Sequence, residues 1–206
     1  MANFQHLNRL KQDIELWNLW RLENPGQVPD LSNADLRGLD LTNANLLLSN
    51  LSGADLSGAN LSNAFLSGAH LENSNLQGAN LSGAHLIGSY LSHANLSGAI
   101  LSKAILNGCD CRYAKLTETD LSEAKLSMTN LICADLADAN MHGAQLVDTK
   151  LRGAYLCGAQ FETARLQEVD LAEAILQCTT TLMPKDFGAY IQGWHPQADN
   201  GLPIAS

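Results

Sequence analysis

The chemistry open to this 206-residue chain rests on five cysteines, six histidines and 21 acidic residues. Cys109 and Cys111, two residues apart, have the types for a redox pair. Cys133, Cys157 and Cys178 bring the number to five, which is odd, and no spacing matches a zinc-site pattern. Reduced thiols in a cytoplasm are the expectation. His6, His70, His85, His93, His142 and His195 are scattered, and Asp35 and Asp55 have the types for a general acid–base pair. No nucleophile elbow, phosphate loop, HExxH pattern or calcium loop is present. Whether any of these side chains meet depends on the elements that carry them.

Those elements are set by a five-residue rhythm. From Leu31 to Leu176 every fifth position is a centre, 30 in all, and 27 are Leu. The others are Cys111, Met141 and Phe161. Two residues before the centre is mostly Ala, with Ser, Thr, Leu39, Cys109 and Val169 as exceptions. The residue before the centre is mostly Asp or Asn early in the chain, and Gly is frequent two after it. An α-helix would spread these leucines round all its sides, and a strand would swap faces at each odd step. The period fits a chain that turns a corner every five residues, with a small residue and a Leu inward and Gly, Asn or Ser at the corner.

Ala34-Asp35-Leu36, Ala44-Asn45-Leu46, Ala54-Asp55-Leu56, Ala59-Asn60-Leu61, Ala79-Asn80-Leu81, Ala94-Asn95-Leu96 and Ala134-Asp135-Leu136 match A(D/N)LXX. On these pentads the chain resembles the pentapeptide-repeat family over about residues 29–178. The resemblance implies an all-β solenoid, a right-handed quadrilateral β-helix with four pentads per 20-residue coil. That makes about 7.5 coils in a rod of roughly 36 Å at the usual strand spacing. Residues n and n+20 then stack.

Stacking decides the chemistry. His93 and Cys133 share a corner column with Tyr113, but lie two rungs apart, about 9.6 Å, too far for one metal ion. Cys109 and Cys111 fall in the two inward columns and read as small apolar fillers. Asp35 and Asp55 stack on an open side without a cleft and read as solvated charges. Asn60/Asn80 and Asn75/Asn95 read as amide ladders. No catalytic, cofactor or metal site is expected.

A solenoid needs its ends covered. Residues 1–28 are expected to hold an amphipathic capping helix and linker: Leu7, Leu10, Ile14 and Trp17 keep three-four spacing, Asn3 is the N-cap, and Asn24-Pro25-Gly26 is the stop. Trp17 and Trp20 should cover the first coil. Residues 179–206, with Phe187, Tyr190, Ile191 and Trp194, are expected to cap the other end and trail into a tail. The chain should be a monomer, or a dimer through its C-terminal end as in gyrase-active members of the family.

The surface gives the functional expectation. One face, centred on Leu46, Leu66, Leu86, Leu106, Leu126 and Leu146, carries Phe65, His85 and Ile105 before its centres and Leu47, Ile87 and Val147 after them. Met128 stands at its corner. A contiguous apolar patch of this kind marks an interaction site. The column Thr42, Ser62, Ser82, Ser102 and Ser122 shares an ordered hydroxyl ladder with ice-binding solenoids, but such serines are common filler in these repeats.

The expected function is a non-enzymatic, cytoplasmic protein-binding or scaffolding protein with an unidentified protein partner. A net charge of -9 argues against direct nucleic-acid binding and against anionic membranes, and no apolar run suits a membrane helix. The N-terminus lacks a signal-peptide pattern. The resemblance offers an alternative, a DNA-mimic modulator of DNA gyrase. Against it, residues 56–109 contain only Glu72 and Lys103 as charges.

Overall fold

Each pentad of this computed structural model, which describes residues 2–176, is one tight turn followed by one bridging residue. The centre's carbonyl accepts from the N–H three residues on, as from Ala54 to Leu51 at 3.0 Å. The second residue after the centre has positive φ throughout, the requirement of a type II turn. Gly fills 12 of these corners, and 17 are filled by other residues, including Leu48, Met128 and Thr163.

The backbone groups left over pair with neighbouring coils. Leu51 N–H donates to His70 O at 2.7 Å, Gly53 N–H to Glu72 O at 2.9 Å, and Asp55 N–H to Ala34 O at 2.9 Å. The pattern gives parallel bridges between n and n+20, from Asp30–Asn50 to Tyr155–Ile175. Residues 30–175 thus form a little over seven stacked 20-residue coils. Extended β-structure is sparse, which departs from the β-rich content expected. Among the described residues, only β1 (Gln145–Val147) and β2 (Arg165–Gln167) are longer than a single bridge. A four-residue turn inside a five-residue repeat leaves one residue free to bridge.

One donor per pentad still lacks a partner: the N–H just after the centre. The Asp or Asn just before the centre takes it, as Asp55 does from Ser57 at 3.1 Å and Asp120 from Ser122 at 3.0 Å. These Asx turns explain the A(D/N)L pattern. The same side chains link coils: Asn80 donates to Asn60 Oδ1 at 3.2 Å, and Asn95 to Asn75 Oδ1 at 3.3 Å.

The core is the two inward columns. The central leucines from Leu31 to Leu171 are buried, as are Cys111, Met141 and Phe161, and Leu176 is half-buried. In the small column, Thr119, Thr129 and Thr149 are buried with their hydroxyls donating to the carbonyls of Leu96, Leu106 and Leu126. A buried hydroxyl costs little once paired.

At the N-terminal end the single expected helix is two. α1 spans Phe4–Gln12 and α2 spans Ile14–Glu23. Asp13 between them is extended, and its carboxylate accepts from Leu16 N–H at 2.9 Å, making it the N-cap of α2. Asn3 caps α1. Leu10 and Trp17 are buried, and Leu7, Ile14 and Trp20 are half-buried against the core.

The cap also replaces the missing preceding coil. Trp17 Nε1 donates to Asn45 O at 2.9 Å, Asn18 Oδ1 accepts from Asn45 N–H at 2.7 Å, and Arg21 donates to Leu47 O at 2.7 Å. On another side, Asn3 N–H donates to Asp30 O and His6 Nδ1 accepts from Asp30 N–H. The C-terminal cap expected over 179–206 lies outside the described residues.

Candidate interaction surface

The chemistry-bearing residues stay apart. Cys109 and Cys111 are buried in the core. The Cys109 thiol donates to Leu86 O at 2.9 Å. Its hydrogen bond to Cys111, together with complete burial, pushes the Cys111 thiol well up, so it stays protonated. Cys133 is exposed and free, whereas Cys157 is disulfide-bonded. That bond departs from the expectation of reduced thiols throughout. His93 stacks on Tyr113 with centroids 5.0 Å apart. Among the described residues no group of three His, Cys, Asp or Glu could hold a metal ion, and no helix is long and apolar enough to cross a membrane.

Asp35 and Asp55 pair as bridge partners on an open side. Arg37 donates to both oxygens of Asp35 at 2.8 Å and holds its carboxyl far below the usual range. Asp55 is lowered by hydrogen bonds from Ser57. Neither is a proton donor near neutral pH.

The apolar face has a defined geometry. Asn45, Phe65, His85 and Ile105 are successive bridge partners down one column. Phe65 and His85 touch with ring centroids 5.4 Å apart. Leu47, Phe65, Ile87 and Met128 are exposed, and His85, Ile105 and Val147 are half-buried. Phe65, His85 and Ile105 stand where Asp or Asn would accept an N–H, so each forgoes the Asx bond that Asn45, Asn60, Asn80 and Asp110 make.

The surface is wider than the spacing suggested. Leu48 is exposed at the corner, and its side chain leans over Gly68 on the next coil, where there is no Cβ to obstruct it. Around that corner His70 stacks on Tyr90, with centroids 4.7 Å apart and planes 14° from parallel. The 20-residue offset between His70 and Tyr90, and the adjacency of Leu48 to Leu47, were the signals available for these. A second apolar surface lies on the cap: Leu16, Leu19 and Leu22 of α2 are exposed on the side opposite Trp17 and Arg21. A shallow cavity of about 210 Å³ lies between residues 10–14 and 39–41.

Stacked five-residue turns with a Leu core define a class of repeat protein. The family model for pentapeptide repeats matches residues 30–68, 66–102, 104–143 and 144–177, so the chain belongs to the pentapeptide-repeat family. No curated protein matches it. Among solved structures it is similar to HetL, a pentapeptide repeat protein involved in heterocyst differentiation regulation in the cyanobacterium Nostoc. That match has 32% identity and TM-score 0.24, covering 71% of this chain and 80% of that one. It is also similar to a thylakoid-lumen protein of Arabidopsis thaliana, at 28% identity and TM-score 0.41, covering 65% and 72%. A third likeness is to QnrB1, a plasmid-mediated fluoroquinolone resistance protein, at 25% identity and TM-score 0.30, covering 68% and 77%.

Proposed function

We propose that this chain is a protein-binding scaffold, a right-handed quadrilateral β-helix that captures a protein partner on the face carrying Leu47, Phe65, His85, Ile87, Ile105, Met128 and Val147. One observation carries the reading. Phe65, His85 and Ile105 replace the Asp or Asn that would close an Asx turn, on three successive coils. Each replacement forfeits a hydrogen bond of about 0.5–1.5 kcal/mol and exposes apolar surface. A run of such losses on one column supports a role outside folding. The surrounding stretch 56–109 holds only two charges, which suits burial against a partner.

The test restores the repeat. Phe65→Asn supplies the residue found one coil earlier at Asn45, which accepts from Leu47 N–H at 3.3 Å. The variant should fold with equal or greater thermal stability and fail to capture the partner that co-purifies with the wild-type chain. Ile105→Asp should behave the same way in capture. Unchanged capture by both variants would remove the face from consideration.

A further inference from the structure

We infer that the occupant of this face is a single amphipathic α-helix, lying along the stack with its N-terminal end toward Lys125 and its C-terminal end over α2. The inference rests on the protein-binding reading and adds the partner's form and direction.

Spacing supports a helix. The rungs repeat at about 4.8 Å and an α-helix at 5.4 Å per turn, so a tilt of about 27° brings one turn onto each coil. Residues at i, i+3 or i+4, i+7 and i+11 would then meet Ile105, Ile87, Phe65 and Leu47 in succession. A ladder for an extended strand is lacking, because along these coils most backbone groups of the face pair with adjacent coils, and the N–H left over just after each centre recurs only once per coil.

The strip continues past the first coil. Arg21 donates to Leu47 O, which places α2 on the end of this face, and Leu22, next in sequence, is 74% exposed. Leu19 lies one turn back on the same outer side. α2 is thus apolar on its inner face and on its outer one, a pattern that calls for cover on both. Three rung steps plus one helix width make about 25 Å, or roughly 16–17 helical residues.

Charge sets the direction. Lys125 follows Ile105 in the same column, is exposed, and forms no ion pair with the described residues. At the opposite end Glu15 and Glu23 of α2 are exposed and likewise unpaired among the described residues. A helix with acidic residues in its first turn and basic residues in its last complements both ends, and that is the charge order its own dipole favours.

The experiment uses two synthetic 18-residue peptides with identical leucine spacing. One has acidic first-turn and basic last-turn residues; the other has these charges exchanged. Binding to the full chain is read by fluorescence anisotropy at low salt. The first peptide should bind at least tenfold tighter. Phe65→Asn should weaken it more than tenfold, and the double variant Lys125→Glu, Glu23→Lys should reverse the preference. Equal affinity for the two peptides, or no binding of either, overturns the inference. So does a concentration-dependent dimer in sedimentation that Phe65→Asn abolishes, since the occupant is then a second copy. If the native partner is lost with Phe65→Asn while neither peptide binds, the helix falls and the protein-binding reading stands. If capture survives Phe65→Asn and Ile105→Asp, that reading fails on its own account.

Discussion

At the corner of every pentad one residue must take a left-handed backbone, and only glycine does so without steric cost. Thr163, with φ 56°, is the severest case, because it is β-branched and exposed. Thr163→Gly should raise stability by roughly 1 kcal/mol, seen as a higher midpoint in thermal melts. Gly158→Ala should do the reverse, because φ is +75° and the new Cβ would run into the Asp138 carboxylate. The Asx residues carry a pH dependence. Hydrogen bonds from Ser32, Thr42 and Ser57 hold Asp30, Asp40 and Asp55 below the usual carboxyl value of 3.8. A lowered carboxyl adds stability that is complete above that value and is lost as pH falls through the lowered one. Melting temperature should therefore hold from neutral pH to about 5 on account of these groups and drop below about 4, less steeply for Asp40→Asn, which keeps the acceptor but cannot titrate.

Among the elements, the cap does what a missing coil would do. Trp17 is 0% exposed and its indole N–H serves Asn45 O, while His6, whose pKa burial lowers, offers a neutral ring nitrogen to Asp30 N–H. Trp17→Ala removes both packing and donor, and should cost about 3–5 kcal/mol locally. Hydrogen exchange should quicken first at residues 31–50 and leave the later coils protected, because repeats unfold as neighbours. Protection lost uniformly along the stack would contradict that. The break at Asp13 was not legible in the sequence, since Leu7, Leu10, Ile14 and Trp17 keep helical spacing straight through it. Asp13 is extended because its carboxylate caps α2, a local bond that spacing does not record.

Over the whole molecule the distribution of charge matters more than its sum. The total is -9, yet residues 56–109 hold one acid and one base, so a long stretch of the stack presents little of the regular negative charge of DNA. In a supercoiling assay with DNA gyrase, micromolar protein should leave the reaction unchanged; inhibition would revive the DNA-mimic alternative. Phe65, His85, Ile87 and Ile105 of the apolar face lie in that neutral stretch, and the two facts belong together, because a surface to be desolvated against a partner is costly to charge.

The phase of the repeat, the two inward columns and the columns bearing Phe65, His85 and Ile105 were all readable from the sequence, since a strict five-residue period assigns every position a place. The period does not record how each place is filled. Only the folded chain showed why Asp or Asn precedes Leu, because the N–H it satisfies is orphaned by the turn itself. Only the folded chain joined Leu48, His70 and Tyr90 into the surface around the Phe65 face, since they lie at and beyond a corner. The leucines of α2 emerged in the same way: whether Leu16, Leu19 and Leu22 cover the stack or face outward depends on how Trp17 and Arg21 orient the helix, and that orientation comes from tertiary hydrogen bonds to Asn45 and Leu47.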